Sequence, residues 1–314
     1  MKSFFAATLV VICVSGTVSA ADKQLVGLMM PDAKVLGGVN VAQVRATPFG
    51  EYLLAQFPIT HPQFQQFVDA TGFNPLLDIT EVVAASLGVP GGKSGLAAVR
   101  GNFDIARIVS FAQTIGATVD QSQGVAVIGS PDGQVSIALL DPTLAIAGDT
   151  NDVIAAISRK SAPSALDPVL AAKATVLSGS QDAWAVTTVP PGAAGIGSGA
   201  PAGLNLNLTA LENIQQSSAG VKFGTSANVT AEVVADTAQN AASLADVVRL
   251  LVALGQMNQA NPQAAQFTDL LKSLTVQTKG TALELSLSIP EDVLEQLSPA
   301  SRRPAVRKVV ERRK

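Results

Sequence analysis

Residues 274 to 289 set the tightest limit on the fold. Leu283, Leu285, Leu287 and Ile289 alternate with Glu284, Ser286 and Ser288, and Lys279-Gly280 interrupts the run. A period of two sends alternate side chains to opposite faces of a strand, so this stretch predicts a hairpin with one apolar face. Val229, Ala231, Val233 and Ala235 repeat the pattern. Strands of this kind belong to antiparallel sheets with a core on one side and water on the other. Gly88-Val89-Pro90-Gly91-Gly92, between 78–86 and 94–100, predicts another hairpin, as does Ser130-Pro131-Asp132-Gly133 between 124–128 and 134–140.

Helical spacing fills the intervals. A strand over 33–40 leads into a helix over 41–56, with Val44, Phe49, Leu53 and Leu54 on its apolar face and Pro58 and Pro62 beyond it. Further helices are expected over 63–70, from an Asn102 cap to Ile115, and over 151–159. In the second half a strand over 183–189 precedes a helix near Leu211, opened by the capping box Thr209-Ala210-Leu211-Glu212. Strands over 221–225 and 229–235 follow. The polar positions Gln239, Ser243, Asp246 and Arg249 make one narrow stripe on a helix over 237–257, which predicts burial of most of its circumference. Helices over 262–271 and 290–297 complete the set.

Both halves thus read strand, helix, strand, strand, helix, strand, strand, helix. The predicted fold class is α+β, with two similar lobes of antiparallel sheet and helices packed on one face. The N-terminal lobe spans 24–162 and the C-terminal lobe 174–298. Ser161 to Lys173 forms the connection between them, and Pro190 to Gly203, rich in Gly and Pro, reads as a lid or a disordered loop.

The ends differ from the body. Residues 1–20 read as a signal peptide: Lys2, an apolar run from Phe4 to Val14, then Val18-Ser19-Ala20 with small residues where a peptidase cleaves. A retained anchor is the alternative. The expected compartment is periplasmic or extracellular. Residues 299–314 form a basic tail, where Arg302 to Lys314 holds seven basic residues and one acid, a net of +6. The rest of the chain, Lys2 apart, has 13 basic and 23 acidic residues, a net of −10. Weak contact with anionic membranes is expected of such a tail, with a solvated terminus as the plain alternative.

Composition removes several function classes. The chain is 47% hydrophobic and 14% charged, which excludes disorder. Its single cysteine, Cys13, leaves no disulfide framework and no cysteine-ligated metal site. An acidic body without a basic, aromatic-bearing face argues against nucleic acid. His61 is the only histidine and reads as a surface loop residue, and no G-x-S-x-G turn presents a nucleophile. Gly92-Lys93-Ser94 lacks the glycine of a phosphate loop at position 87 and leads into a strand, so it reads as a turn. Asp149-Thr150-Asn151-Asp152 lacks the spacing of a calcium loop and caps a helix instead. Asp104/Arg107 and Asp246/Arg249 read as surface ion pairs, and Asn207 and Asn228 begin glycosylation sequons. No catalytic, cofactor-binding or metal-ligating residue is assigned, and no cofactor.

Four short stretches occur together: Thr71-Gly72-Phe73-Asn74-Pro75-Leu76-Leu77-Asp78-Ile79, Arg100-Gly101-Asn102-Phe103-Asp104, Leu144-Ala145-Ile146-Ala147-Gly148-Asp149, and Trp184 within Asp182-Ala183-Trp184-Ala185-Val186. In this order the chain resembles a group of exported bacterial proteins of unknown function built from two similar α+β lobes. The resemblance implies the architecture and the compartment, and carries no activity. Two readings of function follow. One is a non-catalytic envelope module, binding or structural, for a protein partner or an apolar ligand. The other is a hydrolase-type enzyme whose carboxylates the sequence does not single out.

Overall fold

The computed structural model describes residues 22–56, 62–89, 91–92, 94–163, 165–190, 209–257, 270, 273–290 and 293. The first half comprises α1 (Lys23–Gly27), β1 (Val35–Val39), α2 (Val41–Arg45), α3 (Pro48–Gln56), α4 (Pro62–Thr71), α5 (Pro75–Asp78), β2 (Glu81–Ser86), β3 (Gly95–Arg100), α6 (Ile105–Thr114), β4 (Thr118–Ser122), β5 (Val125–Gly129), β6 (Val135–Asp141) and β7 (Leu144–Asp149). Then come α7 (Thr150–Arg159), α8 (Pro168–Ser180), β8 (Ala183–Thr187), α9 (Thr209–Glu212), β9 (Ile214–Phe223), β10 (Ser226–Ala235), α10 (Ala238–Met257), β11 (Thr275–Lys279) and β12 (Ala282–Pro290). These twelve strands form one sheet in the order β11-β12-β10-β9-β8-β1-β2-β3-β7-β6-β5-β4. Every neighbouring pair is antiparallel. The expected fold class, α+β on an antiparallel sheet, is what the chain adopts.

The two halves share that sheet, because β1 pairs with β8 over Val35–Val39 and Ala183–Thr187. The segment 161–173, expected as a connection, is helical from Pro168. Asp167 caps it by accepting from the Val169 N–H at 2.8 Å, and Pro168 stands at the first turn, where its missing N–H costs nothing. This helix escaped the pattern reading because it is apolar on two sides. Leu170, Ala174 and Leu177 are buried, while Val169 and Val176 face out. The helix expected over 41–56 is two helices, since the Thr47 hydroxyl accepts from the Gly50 N–H at 3.1 Å and Pro48 starts a new turn. The cap of α6 is Asp104 rather than Asn102. β4 and β7 are strands in addition to those expected.

Alternation along the strands sorts the core into three parts. On one face, here the α8 face, Leu36, Val83, Leu96, Ile146 and Trp184 pack with Leu25 of α1, Val153 of α7 and Leu170 of α8. On the opposite α10 face, Phe73, Phe103, Leu139 and Ala145 form a cluster with Phe67 of α4 and Ile108 of α6. Leu144, Ala145 and Ile146 alternate between these two cores, which places them on opposite sides of the sheet. At the far end of the α10 face, Ile214 and Leu283 pack under Ala241, Leu244 and Ala245. The expectation of helices on one face therefore needs amending: helices lie on both, and each face is covered over a different part of its width.

Coverage by α10 is also narrower than the stripe predicted. Among its described residues only Ala241, Leu244 and Ala245 are buried, and Leu250, Leu251 and Leu254 stand exposed. Residues 1–20, His61, Lys93, most of Pro190 to Gly203, nearly all of the helices expected over 262–271 and 290–297, and the tail at 299–314 lie outside the described residues.

Candidate functional site

One row of directly opposed residues crosses the α10 face. It runs Leu285, Ala231, Ala219, Ala185, Gly37, Ala84, Ala97, Ala147 and Ile137, one residue from each of nine neighbouring strands. Opposed residues in an antiparallel pair share a face. Seven consecutive members, from Ala231 to Ala147, carry a methyl group or a hydrogen, while the ends are leucine and isoleucine. At about 4.8 Å between strands, the seven small residues span roughly 29 Å. With α10 over one end and α4 and α6 over the other, the middle is a trough whose floor is the sheet itself.

Its walls are apolar. A cavity of about 300 Å³ lies within it, lined by Val35, Ala185, Thr187, Ala219, Ala231 and Val233, and no ionisable side chain among the described residues lines it. Ala84, Ala185 and Ala219 are exposed to solvent. Where α3 approaches this face, Phe49 stacks on Phe223 with ring centroids 4.7 Å apart and planes at 13°. Beyond the small residues, Ile137 and Val135 are 43% and 51% exposed, so the apolar surface continues along β6. Gly37 and Gly38 divide the two faces between them. A Cβ on Gly38 would come within 2.8 Å of the Trp184 ring on the α8 face, whereas Gly37 belongs to the trough floor.

The titratable groups lie elsewhere. Burial, with the nearby Asp22 charge adding to it, pushes the Glu81 carboxyl up, against the hydrogen bond from the Asp22 N–H and the Arg100 charge. Burial also pushes the Asp141 carboxyl up, but the N–H and hydroxyl of Thr143 and the Lys160 ammonium outweigh it and leave that group below its ordinary value. Asp182 is wholly buried and pairs with Lys222 at 2.5 Å, while its second oxygen accepts from the Phe223 N–H at 2.7 Å. That arrangement ties the ends of β8 and β9 together and leaves no free oxygen for chemistry.

The other residues singled out from sequence have structural roles. Asp149 accepts from the Asn151 N–H at 2.9 Å and caps α7, and Asp152 accepts from the Ser94 hydroxyl at 2.7 Å. Asp246 and Arg249 form the expected pair at 2.9 Å. Arg107 does not pair with Asp104; it donates to the carbonyls of Ala70 and Asp69 at 3.0 and 2.9 Å. Sequence reasoning missed the trough. Ala84, Ala97, Ala185 and Ala219 each look unremarkable in their own strands, and only the strand register aligns them.

The fold and this face define an α+β protein with a wide antiparallel sheet and an open apolar surface. No family model matches the chain, and no curated protein matches it. Among solved structures it is similar to TP0453. Crystal form III gives a TM-score of 0.52 at 14% identity, covering 86% of this chain and 96% of that one. Crystal form IV gives 0.51 at 13% identity, covering 86% and 94%. At such identities the likeness is one of fold.

Proposed function

We propose that this chain is an exported, non-catalytic envelope protein that holds an elongated apolar ligand, of the lipid acyl-chain type, on the α10 face of its sheet. The observation that carries this reading is the unbroken row of small residues from Ala231 to Ala147, with an apolar cavity over its Ala231, Ala219 and Ala185 end that no described ionisable side chain lines. Ligand sites are mostly apolar, with few polar groups, and their volumes begin near 300 Å³. No described helix is long and apolar enough to cross a membrane.

An internal repeat also belongs to this reading. The neighbour order β8-β9-β10-β12-β11 parallels β1-β2-β3-β7-β6, and α10 follows β10 as α6 follows β3. The basic tail would bring the protein weakly to anionic lipid, at about 1 kcal/mol for each Lys or Arg near the surface. Deleting residues 302–314 is then expected to remove salt-sensitive co-sedimentation with anionic vesicles.

The central test is native mass spectrometry of the protein purified from its own envelope, joined to displacement of a fluorescent fatty acid. Ala219→Phe, which fills the floor, is expected to weaken fatty-acid binding at least tenfold with little change in melting temperature. Val176→Phe, on the outside of α8, should leave binding unchanged. Equal binding by both variants, or no saturable binding by the parent chain, would sink the proposal.

A further inference from the structure

The opposite side of the same strands holds a second recess of different chemistry. Beyond the edge of α8, a cleft of about 290 Å³ opens over β9, β10, β12 and β11, and the strand residues that face α8 give it a polar floor. Two adjacent rows of opposed residues build its floor. Ser218, Glu232, Glu284 and Gln277 form the first, and Gly220, Thr230, Ser286 and Thr275 the second. Lys173 and Leu177 of α8 supply the wall.

Three features of this cleft remain unanswered within the protein. Glu232 and Glu284 stand directly opposite each other, a placement that brings Cβ atoms to about 5 Å and is unfavourable for like charges. Lys173 pairs with Glu232 at 2.7 Å, but Glu284 has no ion-pair partner among the described residues. Ser218 is only 7% exposed, it lines the cleft, and its hydroxyl has no hydrogen-bond partner among the described residues. Among the described residues the buried side-chain atoms left unpaired belong to Gln181, Thr188 and Gln216 rather than Ser218, so the Ser218 hydroxyl is open to the cleft and available to an outside donor or acceptor.

We infer that this cleft is a binding site for a small hydroxylated amine of the amino-sugar class. Lys173 against Glu232 and Glu284 leaves one net negative charge, which an ammonium group placed at Glu284 neutralises. The hydroxyls of Ser218, Thr230, Thr275 and Ser286 and the amide of Gln277 both donate and accept, as the hydroxyls of a sugar ring require. A metal ion is a poor match, because no three His, Cys, Asp or Glu side chains come together among the described residues. The volume lies at the small end for ligand sites and suits one ring. This site is independent of the apolar trough: Ser218 and Glu232 face away from Ala219 and Ala231.

Titration of the purified protein with D-glucosamine, followed by calorimetry and by amide NMR shifts, tests it. Saturable binding is expected, with shifts centred on residues 218, 230, 232, 284 and 286. Glucose, which lacks the ammonium, and the Glu284→Gln variant should each bind at least tenfold more weakly, the loss expected for one charge-assisted hydrogen bond. A melting curve for Glu284→Gln keeps a folding defect apart from a binding defect, and the NMR map of the parent chain decides the case if the variant misfolds. Equal affinity for glucose and glucosamine, no saturable binding, or shifts centred elsewhere would overturn the inference. Fatty-acid displacement is unaffected by any of these outcomes.

Discussion

The two faces of β9 and β10 come from the same pair of ten-residue strands and have opposite characters. On the α10 face Ala219, Ala231 and Val233 leave an apolar floor; on the α8 face Ser218, Thr230 and Glu232 leave a polar one. The contrast widens across the sheet. Among the described residues, the α8 face is sealed by α1, α7 and α8 over the strands from β8 through β1 to β5, and lies open over β9 to β12. The α10 face is covered at both ends and, among the described residues, open in the middle. The described helices do not cover a sheet this wide, so what they leave bare on each face is a consequence of where they dock.

The largest effects should separate the sealed core from the lighter one. Leu170→Ala removes a fully buried side chain from the core that unites α1, α7 and α8, and should cost about 4 kcal/mol. Leu244→Ala, in the smaller cluster under α10, should cost about 2 kcal/mol. Urea unfolding of both measures the gap. If Leu244→Ala proves the costlier, the two faces do not differ in the way described.

Next comes the tie between β8 and β9. Lys222→Met leaves the wholly buried Asp182 carboxylate without its cation. Removing one partner of a buried pair costs several kcal/mol, and the half-exposed lysine here reduces that to about 2 kcal/mol. Urea unfolding of the variant beside the parent chain measures the loss. A loss below about 0.5 kcal/mol, the size of an ordinary surface substitution, would count against the tie.

The smallest effect is electrostatic. Burial raises the Glu81 carboxyl above its ordinary value of 4.5. A raised carboxyl favours the fold while protonated, so its contribution is present below pH 4.5 and is lost as pH rises through the folded value. Glu81→Gln should therefore stabilise the protein slightly at pH 7, by less than about 1 kcal/mol, and not at pH 3. Asp141, held low, has the opposite sign: its contribution is present at neutral pH and is lost as the pH falls through its folded value. Melting curves at the two pH values distinguish them.

Much of the architecture is determined by the sequence alone. The alternation of Leu283, Leu285, Leu287 and Ile289 with Glu284, Ser286 and Ser288 is enough to make a half-buried antiparallel hairpin, because a period of two leaves no other way to segregate apolar from polar side chains. Gly280 in its turn, with φ at 60°, is equally local. The same holds for Asp149, whose carboxylate caps a helix that starts one residue later. Helix α8 was not legible, since its apolar residues ring the helix and only docking chooses which of them to bury.

Neither recess was legible, for a related reason. Ala84, Ala97, Ala185 and Ala219 come from four strands spread over more than a hundred residues. Glu232 and Glu284 lie on strands separated by the whole of α10. Sequence fixes the face each residue takes within its own strand. Register between strands, and the helix that does or does not cover them, depend on packing of the entire sheet, and a slip of one residue would exchange the two floors. Tertiary structure therefore decided where the small residues align and where the carboxylates meet.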